Sequence, residues 1–183
     1  VKTHVSTQPF DLRLPDNIVT KMNPEGQVYT DHLYCDGQGN AIFKLDTWEI
    51  NILEKERQQE GFVCWFRNIP NKGSSLCIQY ELGSEIKAHF PDFIVVRRVN
   101  NQYEFSILEP HYIGYSDSVP KLKGMAKYSQ LCSSVKRNEM IRIIEMPTGK
   151  RIQRIDVAKS SIRNEVKRLN DYDDLKNLFA KFN

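Results

Sequence analysis

The sequence predicts an α/β (α+β) protein built as one mixed central β-sheet flanked by helices. Three observations carry that expectation. A capped helical stretch precedes a block of β-branched and aromatic runs; a second helical stretch and one further apolar run follow the block; and the chain then closes in a charged tail of helical period.

Residues 1–25 are polar, contain prolines and show no sustained period, so they are expected to form an irregular N-terminal arm. "QVYTDHLYCDGQGNAIF" (27–43) reads as a hairpin with Asp36-Gly37 as its turn signal. "DTWEINILEKERQQEG" (46–61) reads as a helix. Asp46 is the expected N-cap and Glu49, three residues on, completes a capping box. Trp48, Ile52 and Leu53 supply the apolar stripe and Gly61 the stop. Four strand candidates follow, "FVCWFRN", "SLCIQYEL", "DFIVVRRV" and "YEFSIL", joined by turn chemistry such as "IPNKGS" and "NNQ". In "SVPKLKGMAKYSQLCSSVKR" a helix is expected after Pro120, with Leu122, Met125, Ala126, Ser129 and Cys132 along one side. "EMIRIIEM" is a further strand ended by Pro147, and helices at about 158–169 and 171–182 finish the chain.

A chain of 183 residues suffices for one domain with a real core. It opens on Val, which suits a piece of something longer. It lacks both the apolar stretch of a signal peptide and any run approaching the roughly 18–20 apolar residues of a membrane span. Cys35, Cys64, Cys77 and Cys132 form no Cys-x-x-Cys pattern, and Cys64 and Cys77 lie in apolar runs. Buried free thiols in a reducing, cytoplasmic setting are therefore expected rather than disulfides or zinc. Net charge is +3 but unevenly spread: residues 121–168 hold 13 Lys or Arg against four acids. Such a segment is either a solvated face or a surface that meets phosphates.

Chemistry concentrates in "AHFPDFIVVRRVNNQYEFSILEPHY" (88–112). Residues two apart in a strand project to the same side, roughly 6–7 Å apart, so Glu109 and His111 share a face. If the two strands pair through "NNQ", Asp92 lies at the same edge as Glu109. Adjacent carboxylates repel unless a cation or proton sits between them, and a hard divalent ion bound with substrate phosphate would resolve the repulsion. Pro110 has no N–H for a ladder and marks where pairing ends. The plainer alternative makes Asp92 a strand cap, Glu109 a surface acid and His111 a loop residue.

Pro91-Asp92 followed by Glu109-Pro110-His111 resembles the PD-(D/E)xK nuclease signature, with His where Lys usually stands. "DTWEINIL", "VCWFRN", "IQYELGSEIKAHFPDFIVVRR", "FSILEPH" and "DSVPKLKGMAKYSQ" extend the likeness over about residues 30–145. Together they resemble the C-terminal nuclease domain of type III restriction subunits and related DEAD/DEAH-type helicase–nucleases of bacterial defence systems. The resemblance implies a restriction-endonuclease-like fold, with a nuclease-like core at 26–148 and a C-terminal helical extension of the same domain at 149–183. It implies hydrolysis of phosphodiester bonds in DNA, or RNA, with Mg²⁺ or Mn²⁺. A helicase/ATPase region of the same or an associated chain is the implied partner, with no membrane.

Carried over by residue, Asp92, Glu109 and Glu49 would be metal ligands. His111 would take the catalytic Lys position and Lys121 would be the helix-borne base meeting phosphate, with Lys123 as the alternative register. Lys127 and Arg67 would join Lys121 and Lys123 against nucleic acid, and Asn68 lies beside Arg67 without a defined role. At His111 the open roles are general base, the favoured one, then cation at mildly acidic pH, or extra metal ligand. The family core is written αβββαβ, whereas four strands are counted here before the second helix.

Other candidates offer less. His4 and His32 lack ligand-spaced partners; His89, three residues before Asp92, either grazes the site or, as is usual for a loop histidine, is only solvent-exposed; Trp48 and Trp65 read as core. There is no Gly-rich phosphate loop and no serine elbow. Two other functional classes remain open: an inactive nuclease-fold module that binds nucleic acid or mediates assembly, and a basic protein-docking domain.

Overall fold

The computed structural model describes residues 14–19, 25–132, 135–146 and 149–183, without the side chains of 145, 146, 149 and 150. Most of the expected N-terminal arm, His4 and Pro147 lie outside the described residues.

The described chain begins with β1 (Gln27–Tyr29) and β2 (Ala41–Phe43), a small antiparallel pair, followed by α1 (Thr47–Arg57). Next come β3 (Phe62–Arg67), β4 (Ile78–Leu82), β5 (Glu85–His89), β6 (Phe93–Val99) and β7 (Gln102–Pro110). α2 (Ser118–Leu131), β8 (Val135–Met146), β9 (Gly149–Asp156), α3 (Ser160–Val166) and α4 (Tyr172–Phe182) complete it. The central sheet has the order β3-β6-β7-β8-β9, antiparallel throughout except for the parallel β7–β8 pair that α2 connects. It is a mixed α+β fold with a central mixed sheet flanked by helices.

The predicted cap of α1 is present, but the helix ends at Arg57 with Gln58 as its C-cap, short of the expected stop at Gly61. Asp46 accepts from the Glu49 N–H while the Glu49 carboxylate accepts from the Asp46 N–H, a reciprocal capping box. Gly61, at φ +74°, lets the chain enter β3. A Cβ there would stand 2.5 Å from the Arg98 carbonyl oxygen. β6 and β7 close through Asn100-Asn101, both at positive φ, the geometry of a two-residue hairpin turn whose strands twist correctly.

Apolar alternation along the strands builds a core on each sheet face. Ile107, Met140 and Ile155 pack with Leu122, Met125 and the α3–α4 residues Ile162, Leu175 and Phe179. Trp65, Phe93, Val95, Leu108 and Ile141 pack with Ile52 and Leu53 of α1, with Trp48 at the margin.

Three further expectations change. "SLCIQYEL" does not join the main sheet: β4 pairs with the unanticipated β5 in a separate ribbon. The central sheet therefore takes only three strands before α2. Second, 149–156 begins the C-terminal extension as strand β9, not helix. Ile152 and Ile155 stand at helical spacing, and Arg154, half-buried on an ion pair, masks the strand alternation. Third, the cysteines form no disulfide, but only Cys132 is buried; Cys64 is half-buried and Cys77 exposed just before β4.

Two arginines of the basic segment, Arg137 and Arg154, are spent inside the fold, while Lys123, Lys127, Lys136 and Arg168 among others stay exposed. Glu56 of α1, fully buried, receives Arg97 from β6, Arg137 from β8 at 2.5 Å and Arg154 from β9 at 2.8 Å. Glu139 joins through Arg154 at 2.5 Å and Arg137 at 3.3 Å. Burial alone would raise the Glu56 pKa, but the guanidiniums of Arg154, Arg137 and Arg97 hold it below its ordinary value. The cluster ties α1 to three strands. Glu56→Gln leaves buried guanidiniums without their counter-charge and is expected to cost about 3–5 kcal/mol of unfolding free energy, measured by urea denaturation. A loss below about 1 kcal/mol would mean that the arginines reach water instead.

Candidate active site

The register Phe93↔Leu108 makes Asp92 and Glu109 cross-strand neighbours at the end of the β6–β7 hairpin. The backbone there is held from outside. Asn68, buried after β3, donates its side-chain amide to the carbonyls of Pro91 at 2.7 Å and Leu76 at 2.9 Å, and accepts from the Leu76 N–H at 2.8 Å. Its own N–H bonds the Asp92 carbonyl at 3.0 Å. Asn68 thus fixes the Pro91-Asp92 corner, a role its position beside Arg67 did not disclose. β7 ends at Pro110, and the His111 N–H still reaches the Ile141 carbonyl at 2.8 Å, so His111 is placed by the sheet, not by a loose loop.

Glu109 is buried, with Oε1 3.3 Å from His111 Nδ1 and Oε2 3.7 Å from His89 Nε2. The longer separation exceeds a hydrogen bond, and both Glu109 Oε2 and His89 Nε2 are buried without a hydrogen-bond partner. His89 is therefore not an exposed loop residue; β5 buries it against the acid. His111 Nε2 lies 3.0 Å from Ser118 Oγ and 4.0 Å from Asp117 Oδ1, so both ring nitrogens are engaged. Lys121 approaches from the first turn of α2, 3.1 Å from Asp117 Oδ2.

Arg67 stands between the remaining acids, 2.5 Å from Glu49 Oε1 and 3.2 Å from Asp92 Oδ1, over the Phe93 ring at 5.0 Å. Glu49 is doubly occupied, by Arg67 and by the capping box, which sets it apart from the Asp92–Glu109 pair. Lys123 and Lys127 leave α2 on its exposed side, away from the carboxylates; Lys127 faces Glu81 at 3.7 Å. Of the two registers for the helix-borne base, the fold brings Lys121 to the acids.

Electrostatics follow from burial. Desolvation first, then the charge of Glu109, raise Asp92 to about 7 against the pull of Arg67. Desolvation raises Glu109 to about 8, opposed by Lys121 and by the Asp92 backbone N–H. Burial, then Lys121, lower His111 to about 4, and likewise lower His89 to about 3. A neutral His111 cannot supply the charge of a lysine at mildly acidic pH.

A divalent ion fits part of this set. Hard carboxylate oxygens of Asp92 and Glu109 stand together, one of them orphaned beside an orphaned imidazole nitrogen. Yet among the described residues no group of three or more His, Cys, Asp or Glu side chains is arranged to hold a metal ion. The donors suit an ion shared with a substrate phosphate, the usual habit of Mg²⁺, rather than an all-protein cage. Of the two readings of His89, the one that brings it to the site holds. Sequence reasoning missed Asp117 and Ser118 as neighbours of the site; only "DSVP", a helix-start pattern, hinted at them.

Fold and site together define an α+β protein with a carboxylate–histidine cluster buried at the end of a central hairpin. The chain belongs to the YagJ family, whose model matches residues 30–183. It is 31% identical over 173 residues to Protein YagJ of Escherichia coli (strain K12), an alignment covering 88% of this chain and 70% of that relative. No solved structure matches it. Among the described residues, no helix is long and apolar enough to cross a membrane.

The raised acids set a pH signature. Unfolded, Asp92 and Glu109 return to ordinary values of 3.8 and 4.5, so from there to about 8 the native state holds more protons and loses stability as pH rises. Buried neutral histidines (His32 at about 4, with His89 and His111) act in the opposite sense, but only up to their unfolded value of 6.5. In EDTA, unfolding free energy should therefore fall between pH 6.5 and 8, and the double variant Asp92→Asn, Glu109→Gln should flatten that slope. Urea titrations across this window check it; a rising slope would contradict the buried-acid assignment.

Proposed function

We propose that the chain is a metal-dependent nuclease domain hydrolysing phosphodiester bonds in DNA, on a restriction-endonuclease-like core. One observation carries the reading: half-buried Asp92 and buried Glu109 are paired at a strand end, where Glu109 Oε2 is orphaned beside His89 and the Lys121 charge is felt at Glu109. The element order supports it further. With β4–β5 set aside as an inserted ribbon, α1, β3, β6, β7, α2 and β8 run αβββαβ, the order of the PD-(D/E)xK core that the sequence resembles.

Asp92 and Glu109 would hold Mg²⁺ or Mn²⁺, with the substrate phosphate completing the coordination. When bound, the ion polarises a phosphoryl oxygen and makes water a better nucleophile. The protein's own groups do the rest. Desolvation raises both carboxylates toward the protonated form, so the site disfavours their bare negative charge and a cation–phosphate pair would relieve it. Lys121 carries the positive charge that steadies the developing phosphorane, the task for which His111 is too weakly basic. His111, held by Ser118, orients the Glu109 carboxylate. Glu49 positions Arg67, whose guanidinium offers a phosphate contact once Asp92 turns to the ion. Lys123 and Lys127 extend the basic face of α2. By the same resemblance the domain would work in the cytoplasm as the C-terminal part of a restriction or phage-defence helicase–nuclease.

Arg67 also favours a second reading. Because it neutralises Glu49 and Asp92 internally, the cluster is stable without an ion, as a non-catalytic nucleic-acid-binding or assembly module would require.

Incubating the purified chain with circular and linear DNA, and with RNA, in Mn²⁺, Mg²⁺ or EDTA separates the two. Cleavage abolished by EDTA is expected. Asp92→Asn and Glu109→Gln should each abolish it with the fold intact, Lys121→Met should cost at least about 100-fold, and His111→Gln about tenfold. A parent that cuts nothing under any of these conditions is the binding module.

A further inference from the structure

Between α2 and the β4–β5 ribbon, the fold leaves a cleft of about 660 Å³, large enough for one nucleotide. Its walls are aromatic and aliphatic: Tyr80 from β4, Ile113 and Tyr115 from the loop before α2, and Tyr172 at the start of α4. Lys123 and Lys127 line the same cleft. Lys127 faces Glu81, whereas Lys123 has no ion-pair partner among the described residues. Its back wall exists because Gly124 lets α2 press onto β4; a Cβ there would stand 2.8 Å from the Gln79 carbonyl oxygen and from Tyr80 Cβ.

Two wall residues also belong to the acid site. The Tyr80 hydroxyl points to Asp117 Oδ2 at 3.4 Å, and the Tyr115 ring stands edge-on to His111, centroids 5.6 Å apart. The cleft is thus continuous with the cluster that would hold the scissile phosphate. Tyr115 and Tyr172 are 61% and 43% exposed, tyrosine faces that no core requires. Exposed aromatic rings with a free lysine form the ordinary apparatus for unpaired nucleotides, because every base has a face to stack and every linkage a phosphate to attract.

Resting on the nuclease reading, we propose that this cleft binds an unpaired nucleotide next to the scissile phosphate, so that the substrate class is single-stranded nucleic acid or a duplex with a single-stranded end. The base lies among Tyr80, Tyr115 and Tyr172, and its phosphate is drawn to Lys123. A duplex cannot enter without unstacking a base, which gives the site its preference.

Binding is measured by fluorescence anisotropy in EDTA, with a labelled twelve-nucleotide oligothymidine and a blunt duplex of equal length. The parent should bind the single strand more tightly. Tyr115→Ala should weaken that binding by about tenfold and leave the duplex within about twofold. Tyr115→Phe, which keeps the ring, should bind like the parent, and Lys123→Gln should flatten the salt dependence on the single strand. Equal binding of strand and duplex by the parent, or indifference to Tyr115→Ala, overturns the proposal. So does a concentration-dependent dimer that Tyr115→Ala dissolves, which would give the cleft to a second copy. Because no cleavage is read, the outcomes separate: a parent that cuts DNA while its strand binding ignores Tyr115 sinks the cleft and leaves the nuclease. A parent that never cuts yet shows the Tyr115 effect sinks the nuclease and keeps the cleft.

Discussion

Holding Asp92 and Glu109 side by side, the first half-buried and the second buried, makes their negative charge costly near neutral pH, and most of the surrounding architecture is a response to that cost. The antiparallel register of β6 and β7 imposes the proximity, and Asn68 removes the slack through which the Pro91-Asp92 corner would otherwise move the acids apart. Arg67 and Glu49 attend to Asp92 from α1 and β3, whereas Lys121, held by Asp117, attends to Glu109 from α2. Beside each other at the site, Glu109 Oε2 and His89 Nε2 are left buried without hydrogen-bond partners. Buried polar atoms without partners are rare in folded proteins and call for an explanation; the proposed cation would supply one.

The support extends well beyond the site. Glu49 and Glu56 lie two turns apart on α1. The first reaches Arg67 at the carboxylate cluster, while the second receives arginines from β6, β8 and β9. The helix that carries a site acid is therefore anchored by a buried ion cluster at its other end. A displacement of α1 would be felt by Arg67 and, through it, by Asp92. Structural and site electrostatics are joined along one helix, and Arg137 and Arg154 of the basic segment help to make that joint.

Much of this was legible in the sequence, for local reasons. The capping box announces itself in Asp46 and Glu49, the hairpin turn in Asn100-Asn101, and the shared face of Glu109 and His111 in their spacing of two. What stayed hidden depended on partners distant in the chain. β5 is mostly exposed and polar, so its pairing with β4 left no apolar alternation to read. β9 conceals its strand character because Arg154 turns inward to Glu56 and Glu139. His89 looked like a loop residue until β5 carried it under Glu109, and nothing local to Ser118 signals its hydrogen bond to His111. The expected third acid, Glu49, is close in sequence pattern but committed to Arg67, which spacing alone does not reveal.

A crystal of the chain grown with Mn²⁺, with anomalous scattering recorded at the manganese edge, tests most directly whether the buried carboxylates form a cation site. An anomalous peak bridging Asp92 and Glu109, with Arg67 turned away from Asp92, is the predicted result. A map with no peak there at saturating Mn²⁺, and with Arg67 still bridging Glu49 and Asp92, would contradict it.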